Sequence, residues 1–425
     1  MPMSNDFKER LNQILPQIVK HYGTPFHVYD EVGITENAQD LYSQFSEGSG
    51  FRNYFAVKAL PNPRIISLLL SLEMGFDCSS IPELVIARSV GAKPDQIIFT
   101  SNNTDAPEYE AALADGGCIL NLDDLTFVEK VPEPFPEQIC FRFNPGKKRS
   151  GSRFIGDPSD AKYGLREDQL ITAYRLARDR GAKRFGLHTM IISNELDYKF
   201  MLTTVHMLLE IIEDLERKTG IIFEFINIGG GIGIPYKPDD HGFHITSLGH
   251  YTQLILKEFL TKNGYAPTLY SECGRYVTGP HGVLVTTCIN RMIKHKEYVG
   301  VDASMSALMR PGMYGAYHHI NIVDPNGQEK DGVTEVVDVV GSLCENNDKF
   351  AVDRELPKVV GGDFVIIHDT GAHGHAMGFN YNGRLRPKEL LLRSDGKVEL
   401  IRRAETHEDY TATLRFEPDV LDLTA

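Results

Sequence analysis

Short apolar stretches alternate with amphipathic ones along most of the chain, and the two kinds predict different elements. Apolar side chains recur at helical spacing over residues 7–20, and residues 24–30 have the composition of a strand. Eight further apolar stretches predict strands at residues 54–58, 76–79, 97–101, 118–122, 139–144, 184–188, 223–228 and 268–272. Helical periodicity separates them, as at residues 82–90, 106–114, 167–180, 199–218 and 248–262.

A barrel of parallel strands accounts for this alternation. Eight strands, each followed by a helix or a loop of suitable length, predict a (β/α)8 TIM-type barrel over residues 46–280. A doubly wound open sheet is the alternative, but it usually has fewer strands and a phosphate-binding fingerprint after the first one. Active sites of such barrels lie at the carboxyl ends of the strands. The residues at those ends are polar or glycine: Lys58, Asp77, Asn102, Arg142, His188, 229–231 and Glu272.

Helical periodicity fades after about residue 280, and the remaining chain predicts a C-terminal β domain over residues 281–425. The helix and strand within residues 1–45 precede the barrel, and because that strand needs a sheet we expect the segment to join the β domain. The predicted strands of the domain are 282–290, 299–302, 332–341, 363–369 and 389–393, with a hairpin turn at 394–397 and a last strand at 398–402.

The composition and charge of the chain exclude some classes of binding partner, but they say little about the fold. The 425 residues are 42% hydrophobic and carry a formal net charge of −14, which argues against binding to nucleic acid or to anionic membrane surfaces. A charged N-terminus and the lack of a long apolar run predict a cytoplasmic protein that does not insert into membranes. The six cysteines form no C-x-x-C pair, so the sequence suggests neither a disulfide framework nor a zinc site.

Three strand ends carry groups that could act together on one ligand. Partial burial of Lys58 would lower the pKa of its amine and allow attack on a carbonyl, although such a lysine can also merely extend into solvent. Glycines at residues 229–231 allow backbone N–H groups to approach a phosphate. Glu272 could hold a protonated ring nitrogen and Arg275 an anion, unless the two form a salt bridge within their loop. Lysine, phosphate cradle and carboxylate in one barrel describe a pyridoxal phosphate site.

Nearly the whole chain resembles the fold-type III pyridoxal-phosphate-dependent decarboxylases, and among them the diaminopimelate decarboxylases. Up to the end of the barrel the resemblance lies at residues 24–30, 54–59, 76–80, Glu83, 141–145, 228–233 and 272–275. In the β domain it lies at residues 309–314, 344–348, 353–357, 369–375, 380–382, Arg384 and Pro387. The resemblance implies an alanine-racemase-like fold, in which such a barrel is combined with a β domain, and pyridoxal 5′-phosphate as the cofactor.

The resemblance also implies a role for each matching residue. Lys58 would hold the cofactor, and Glu272 would keep a proton on its ring nitrogen, which favours decarboxylation. Cys344 would reach across the interface of a homodimer to protonate the substrate carbon, although a cysteine in this loop could also be a packing residue. The phosphate contacts would be Ser193, Gly230, Gly231, Gly274 and Arg275, and the further cofactor contacts would be Asp77, His188, Cys273 and His373.

The implied substrate contacts describe a substrate with two charged ends. Arg310 would pair with a distal carboxylate and Glu345 with a distal ammonium. That combination suits meso-2,6-diaminopimelate, which would be decarboxylated to L-lysine and CO2. A relative acting on ornithine, lysine or arginine is the alternative, and a non-enzymatic cofactor carrier is disfavoured because such carriers lack the second domain. The full set of implied substrate contacts is Arg275, Arg310, Tyr314, Glu345 and His373.

Four positions depart from the family pattern. Met190 and Ile192 stand where the family has histidine and glycine, Cys273 replaces a proline, and His373 replaces a tyrosine. His188 lies two residues before Met190 on the same face of the strand, and it is the candidate to stack on the cofactor ring instead. His373 and His375 could be metal ligands, but spacing places no third ligand, so we expect no metal.

Overall fold

The structure, a computed structural model, describes residues 3–45, 50–151 and 156–417 together with residues 421 and 423. The chain forms two compact units. The first contains residues 30–282 and 371–376 together with N-terminal residues up to Phe7. The second contains residues 8–29 and 283–370 and the chain from Met377 onward.

Strands and helices alternate through the first two thirds of the chain. The strands are β1 Phe26–Asp30, β2 Phe51–Ala56, β3 Gly75–Cys78, β4 Ile97–Phe99, β5 Ile119–Leu122, β6 Gln138–Arg142, β7 Arg184–His188, β8 Phe225–Asn227, β9 Thr268–Ser271, β10 Gly282–Ile293, β11 Glu297–Val301, β12 Ile320–Val323, β13 Thr334–Val340, β14 Lys349–Pro357, β15 Phe364–Ile367, β16 Lys388–Leu392 and β17 Val398–Arg402. The helices are α1 Asn5–Tyr22, α2 Glu31–Ser43, α3 Pro63–Ser71, α4 Ile81–Ser89, α5 Ala106–Leu113, α6 Phe127–Lys130, α7 Glu167–Asp179, α8 Tyr198–Thr219, α9 Ile245–Asn263, α10 Arg275–Thr278, α11 Arg310–Tyr314 and α12 His407–Thr411. None of the described helices combines the length and the apolar character needed to cross a bilayer.

A closed parallel barrel of β2 to β9 forms the centre of the first unit, which confirms the predicted fold class. The barrel closes where β2 pairs with β9, with Phe51 opposite Leu269. The rings of Phe225 and Tyr270 stack inside it with centroids 4.2 Å apart. Gly186 of β7 makes room for this stack, because a Cβ there would lie 2.0 Å from the Phe225 ring. Since side chains fill the interior, ligand-binding groups are confined to the strand ends.

The chain turns sharply after β2, and this turn carries the candidate lysine. A 3-10 turn, Val57–Ala59, follows the strand directly. Lys58 therefore lies in the turn rather than in the strand where the sequence placed it. Asn62 then caps α3 by accepting a hydrogen bond from the Arg64 N–H, and Pro63 supplies a first helical residue that needs no donor.

The second unit is built on a sheet, as predicted, with the order β14-β13-β11-β10-β1-β16-β17. Strand β15 pairs with β10 and β12. The N-terminal strand β1 lies between β10 and β16 in this sheet. Two strands were not predicted, β12 and β14. In β14 the pairing with β13 shifts register, and exposed Val352 and Asp353 are neighbours, so the strand lacks the regular alternation that sequence analysis relies on.

The two units divide the chain at places other than residues 45 and 280. Residues 8–29 lie with the β domain, but the chain from Asp30 lies with the barrel. Asp30 accepts hydrogen bonds from the N–H groups of Val32 and Gly33, which starts α2, and α2 packs against β2, α3 and α10. Residues 371–376, late in the chain, also belong to the barrel unit. No periodic pattern in the sequence predicts that they do.

Candidate active site at the mouth of the barrel

Lys58 and Asp77 form an ion pair at the carboxyl ends of two neighbouring strands. The distance from Lys58 Nζ to Asp77 Oδ2 is 3.4 Å. Asp77 is buried, whereas 54% of the Lys58 side chain is exposed. The Asp77 carboxylate raises the pKa of the Lys58 amine, and this effect outweighs that of burial. The expectation of a lowered lysine pKa is therefore wrong for this structure.

A second carboxylate, Glu272, follows β9 and is also buried. Its Oε1 accepts a hydrogen bond of 2.8 Å from Asn227 Nδ2, and its Oε2 lies 3.4 Å from His188 Nε2. The opposite ring nitrogen of His188 lies 2.9 Å from Asn121 Nδ2. His188 is thus held between Asn121 and Glu272, within the end of the barrel.

The two carboxylates have different affinities for a proton. Burial and the charge of Glu272 raise the pKa of Asp77 to about 7. Burial also acts to raise the pKa of Glu272, but His188, Lys58 and Asn227 lower it to about 2. Glu272 is therefore ionised at neutral pH and suited to hold a proton on a ligand atom, while Asp77 titrates near neutrality.

The glycine run after β8 is a close-packed turn. Gly229 and Gly231 have φ angles of 69° and 100°, which favour glycine. A Cβ at Gly230 would lie 2.8 Å from the Glu272 carbonyl oxygen. The Gly230 N–H donates to Met190 Sδ over 3.2 Å. Met190, which differs from the family pattern, therefore provides a weak sulfur acceptor for the Gly230 N–H. The same N–H could instead bind a phosphate oxygen.

Residues 273–275 follow β9, and Gly274 among them packs against the turn Val57–Ala59, which carries Lys58 and is called the lysine turn below. The Cys273 N–H donates to Asn53 Oδ1 over 2.8 Å, and burial raises the pKa of its thiol to about 12. A Cβ at Gly274 would lie 2.8 Å from Ala59 Cβ, so the backbone at Gly274 packs on the turn that holds Lys58. Arg275 contacts the hydroxyl of Tyr236.

A late segment of the chain also contacts the lysine turn. The His373 N–H donates to the Ala59 carbonyl oxygen over 2.8 Å, and His373 has a φ of 56°.

Ser193 is half-buried and follows buried Ile192, whose carbonyl oxygen would lie 2.7 Å from a Cβ at Gly231. Within the described part of the chain, no group of three or more His, Cys, Asp or Glu side chains is arranged to hold a metal ion.

The remaining predicted residues belong to the second unit. Arg310 is 7% exposed and its Nε donates to His318 Nε2 over 3.4 Å. Tyr314 is 44% exposed. Cys344 and Glu345 are exposed, and the Cys344 N–H donates to Asn382 Oδ1 over 2.7 Å.

Three buried asparagines were missed by sequence analysis. Asn53 accepts from the Ser271 hydroxyl and the Cys273 N–H, Asn227 donates to Glu272, and Asn121 donates to His188. Each is a single amide within or at the end of an apolar barrel strand. A buried amide is costly unless it is hydrogen-bonded, so this pattern was the available signal for a polar site.

The residues at the mouth fit pyridoxal phosphate. Asp77 Oδ1 and Asn121 Oδ1 are buried, and neither has a hydrogen-bond partner among the described residues. Buried acceptors of this kind are suited to donors on a ligand. Lys58 offers an amine for the aldehyde, the glycine run offers N–H groups for the phosphate, and Glu272 offers a carboxylate for the ring nitrogen.

Comparison with known proteins supports this interpretation. The family model described as "Pyridoxal-dependent decarboxylase, pyridoxal binding domain" matches residues 33–279. Protein TabA of Pseudomonas amygdali pv. tabaci is 48% identical over 100% of this chain and 99% of its own length. Diaminopimelate decarboxylase of Methanothermobacter thermautotrophicus is 36% identical over 92% of both chains. The solved structure of diaminopimelate decarboxylase from M. jannaschii in complex with L-lysine is 30% identical, with a TM-score of 0.85 over 94% of this chain and 93% of that one.

Proposed function

Because the chain belongs to the pyridoxal-dependent decarboxylase family and uses pyridoxal 5′-phosphate, we propose that it is a carboxy-lyase that converts meso-2,6-diaminopimelate to L-lysine and CO2. One observation carries the choice of substrate: Arg310 is a buried arginine whose guanidinium is held at Nε by His318. A buried arginine suits a substrate with a second carboxylate. Ornithine, lysine and arginine have none.

When bound, the cofactor draws electrons away from the substrate carbon that loses CO2. Lys58 would hold the aldehyde end of the cofactor through Nζ, and the ion pair with Asp77 orients the amine. Glu272, hydrogen-bonded to Asn227, keeps a proton on the ring nitrogen. His188, fixed between Asn121 and Glu272, would lie against the ring and exclude water from it.

Groups at three strand ends would hold the phosphate. The N–H groups of Gly230 and Gly231 would donate to the phosphate, whose oxygens would be stronger acceptors for the Gly230 N–H than Met190 Sδ is. The hydroxyl of Ser193 and the residues at Gly274 and Arg275 complete the cradle. His373 would contribute through its backbone position beside the lysine turn, and Cys273, after β9, through its N–H, which is bound to Asn53.

The second unit supplies the proton and recognises the far end of the substrate. Cys344 is exposed, as a thiol must be if it is to serve a site in another subunit of a homodimer. Glu345, next to it, is exposed and binds the distal ammonium, while Arg310 binds the distal carboxylate. Tyr314, Arg275 and His373 complete the contacts with the substrate.

A related decarboxylase acting on another amino acid is the second candidate, with ornithine, lysine and arginine as the substrates to test. The observation that favours it is Met190, whose thioether takes the place of a family histidine beside the glycine run. The 48% identical relative carries a name other than diaminopimelate decarboxylase, which is also consistent with a different substrate.

An assay of CO2 release separates the two candidates. The purified enzyme, loaded with pyridoxal phosphate, is incubated with meso-diaminopimelate, ornithine, lysine or arginine, and Lys58→Ala serves as the inactive control. We expect release from diaminopimelate in excess over the others by at least about a hundredfold in kcat/KM, as a site built around a buried charge requires. Release from another amino acid with none from diaminopimelate contradicts the proposal and supports the second candidate.

A further inference from the structure

His318 is a buried histidine whose protonated nitrogen can be identified from its partners. The residue is 0% exposed, and its Nδ1 lies 2.7 Å from the carbonyl oxygen of His368. A carbonyl oxygen only accepts, so Nδ1 carries the hydrogen. In the neutral ring Nε2 is then an acceptor, and it faces the Nε–H of Arg310 at 3.4 Å. His318 therefore receives a hydrogen bond from the guanidinium on one side and donates one on the other.

The backbone fixes the position of this ring. Strands β12 and β15 pair with Ile320 opposite Ile367, and the His368 N–H continues the ladder by donating to the His319 carbonyl oxygen over 2.9 Å. Arg354 donates to the carbonyl oxygen of His318 over 3.0 Å. The imidazole is thus held through its own chain and through Nδ1, so its Nε2 is a stationary acceptor.

A second buried acidic group, Asp369, directly follows the residue whose carbonyl oxygen holds the His318 ring. Asp369 is 0% exposed, and neither of its oxygens has a hydrogen-bond partner among the described residues. Burial raises the pKa of Asp369, and the charge of Arg310 acts to lower it, so the two groups are electrostatic neighbours. Asp369 is thus an alternative ion-pair partner for Arg310, and pairing with it would change the direction in which the guanidinium points.

We propose that His318 is a positioning residue that holds Arg310 in the orientation in which it binds the distal carboxylate of the substrate, and keeps it from pairing with Asp369. The bond to His318 uses Nε and leaves the two terminal nitrogens out of that contact. Those nitrogens form the two-pronged pair with a carboxylate. The inference rests on the proposed function, since it assumes that Arg310 binds the substrate.

Two substitutions of similar shape test the two hydrogen bonds of His318 one at a time. In His318→Asn the amide can replace Nδ1 and donate to His368, but nothing replaces Nε2. In His318→Gln the amide oxygen can replace Nε2 and accept from Arg310. We expect His318→Asn to raise KM for diaminopimelate by about tenfold or more with kcat within about twofold, and His318→Gln to stay within about threefold of wild type in both.

Removing the competing carboxylate is the rescue experiment. Asn adopts positive φ more readily than most residues, so Asp369→Asn suits the φ of 58° at this position. We expect His318→Asn/Asp369→Asn to recover most of the lost affinity for diaminopimelate. A merely structural histidine would change thermal stability and all substrates alike, with no recovery in the double variant.

The outcomes distinguish this inference from the proposed function. If the wild-type enzyme releases no CO2 from diaminopimelate, the proposed function fails, and the inference with it. If it does, an unchanged KM in His318→Asn overturns the inference alone. Should His318→Asn fail to fold, His318→Leu removes both bonds without adding a polar group, and a KM for diaminopimelate equal to that of wild type overturns the inference in the same way.

Discussion

Lys58 Nζ lies 3.4 Å from Asp77 Oδ2, and of the two partners it is the carboxylate that is buried. Asp77 therefore cannot turn away into solvent, and in its ionised form it places a negative charge beside the amine. The amine is kept protonated beyond its ordinary range. Since only the neutral amine attacks an aldehyde, the same ion pair that orients Lys58 also slows its first reaction with the cofactor.

Replacing Asp77 with asparagine should release this restraint. Asp77 is the largest cause of the raised Lys58 pKa, so in Asp77→Asn the pKa falls and more of the amine is neutral at pH 7.5. We expect pyridoxal phosphate to attach several-fold faster to the apoprotein at that pH, with the pH midpoint of the attachment rate moved down. Stopped-flow absorbance measures both. Glu83→Gln is the control, because Glu83 is a lesser cause, and an equal shift in both variants would contradict the assignment.

The purified protein should be yellow from covalently bound cofactor, and Lys58→Ala should lose both the colour and turnover. The reason is that Lys58 is the amine at the mouth beside the glycine run and Glu272. Absorbance after gel filtration, and mass spectrometry after borohydride reduction, check the result. Lys183→Ala, which changes an exposed lysine paired with Glu137, is the control and should keep both. A borohydride-stable adduct that persists in Lys58→Ala would place the cofactor on another lysine.

Arg310→Ala should act selectively on substrates with a distal carboxylate. Truncation leaves that carboxylate unpaired in a buried place, so we expect a loss of about 3 kcal/mol in kcat/KM for diaminopimelate, or about a hundredfold. Any slow reaction with ornithine or lysine should change little. Arg291→Ala is the control, since Arg291 pairs with Glu335 and Glu297 elsewhere in the same unit. Equal losses on all substrates would mean that Arg310 is structural.

Active sites shared between two subunits should complement each other in mixed dimers. Lys58→Ala and Cys344→Ala homodimers are each expected to be nearly inactive. Random exchange makes half of the dimers mixed, and each mixed dimer has one intact site of two, so activity should return to about a quarter of wild type. Native mass spectrometry confirms that subunits exchange. No recovery despite exchange would place Cys344 in the site of its own chain or outside the chemistry.

The barrel was predictable because parallel strands are buried on both faces and read as apolar runs at regular intervals. The β domain was less so: β14 pairs with a shifted register and exposes neighbouring residues, which erases the alternation. The polar mouth was predicted from its strand-end residues, but the sign of the Lys58 pKa shift was not. That sign depends on whether Asp77 lies within contact distance, and the distance is set by the pairing of β2 with β3 rather than by any local pattern.

The hydrogen bond from the His373 N–H to the Ala59 carbonyl oxygen has a consequence for how the enzyme is made. The lysine turn, residues 57–59, is synthesised early, but its backbone partner His373 leaves the ribosome only when most of the chain has been translated. A fragment ending at residue 280 would contain all eight barrel strands and still lack residues 371–376. A chain translated only as far as residue 280 therefore lacks the His373 N–H that binds the carbonyl oxygen of Ala59, next to Lys58.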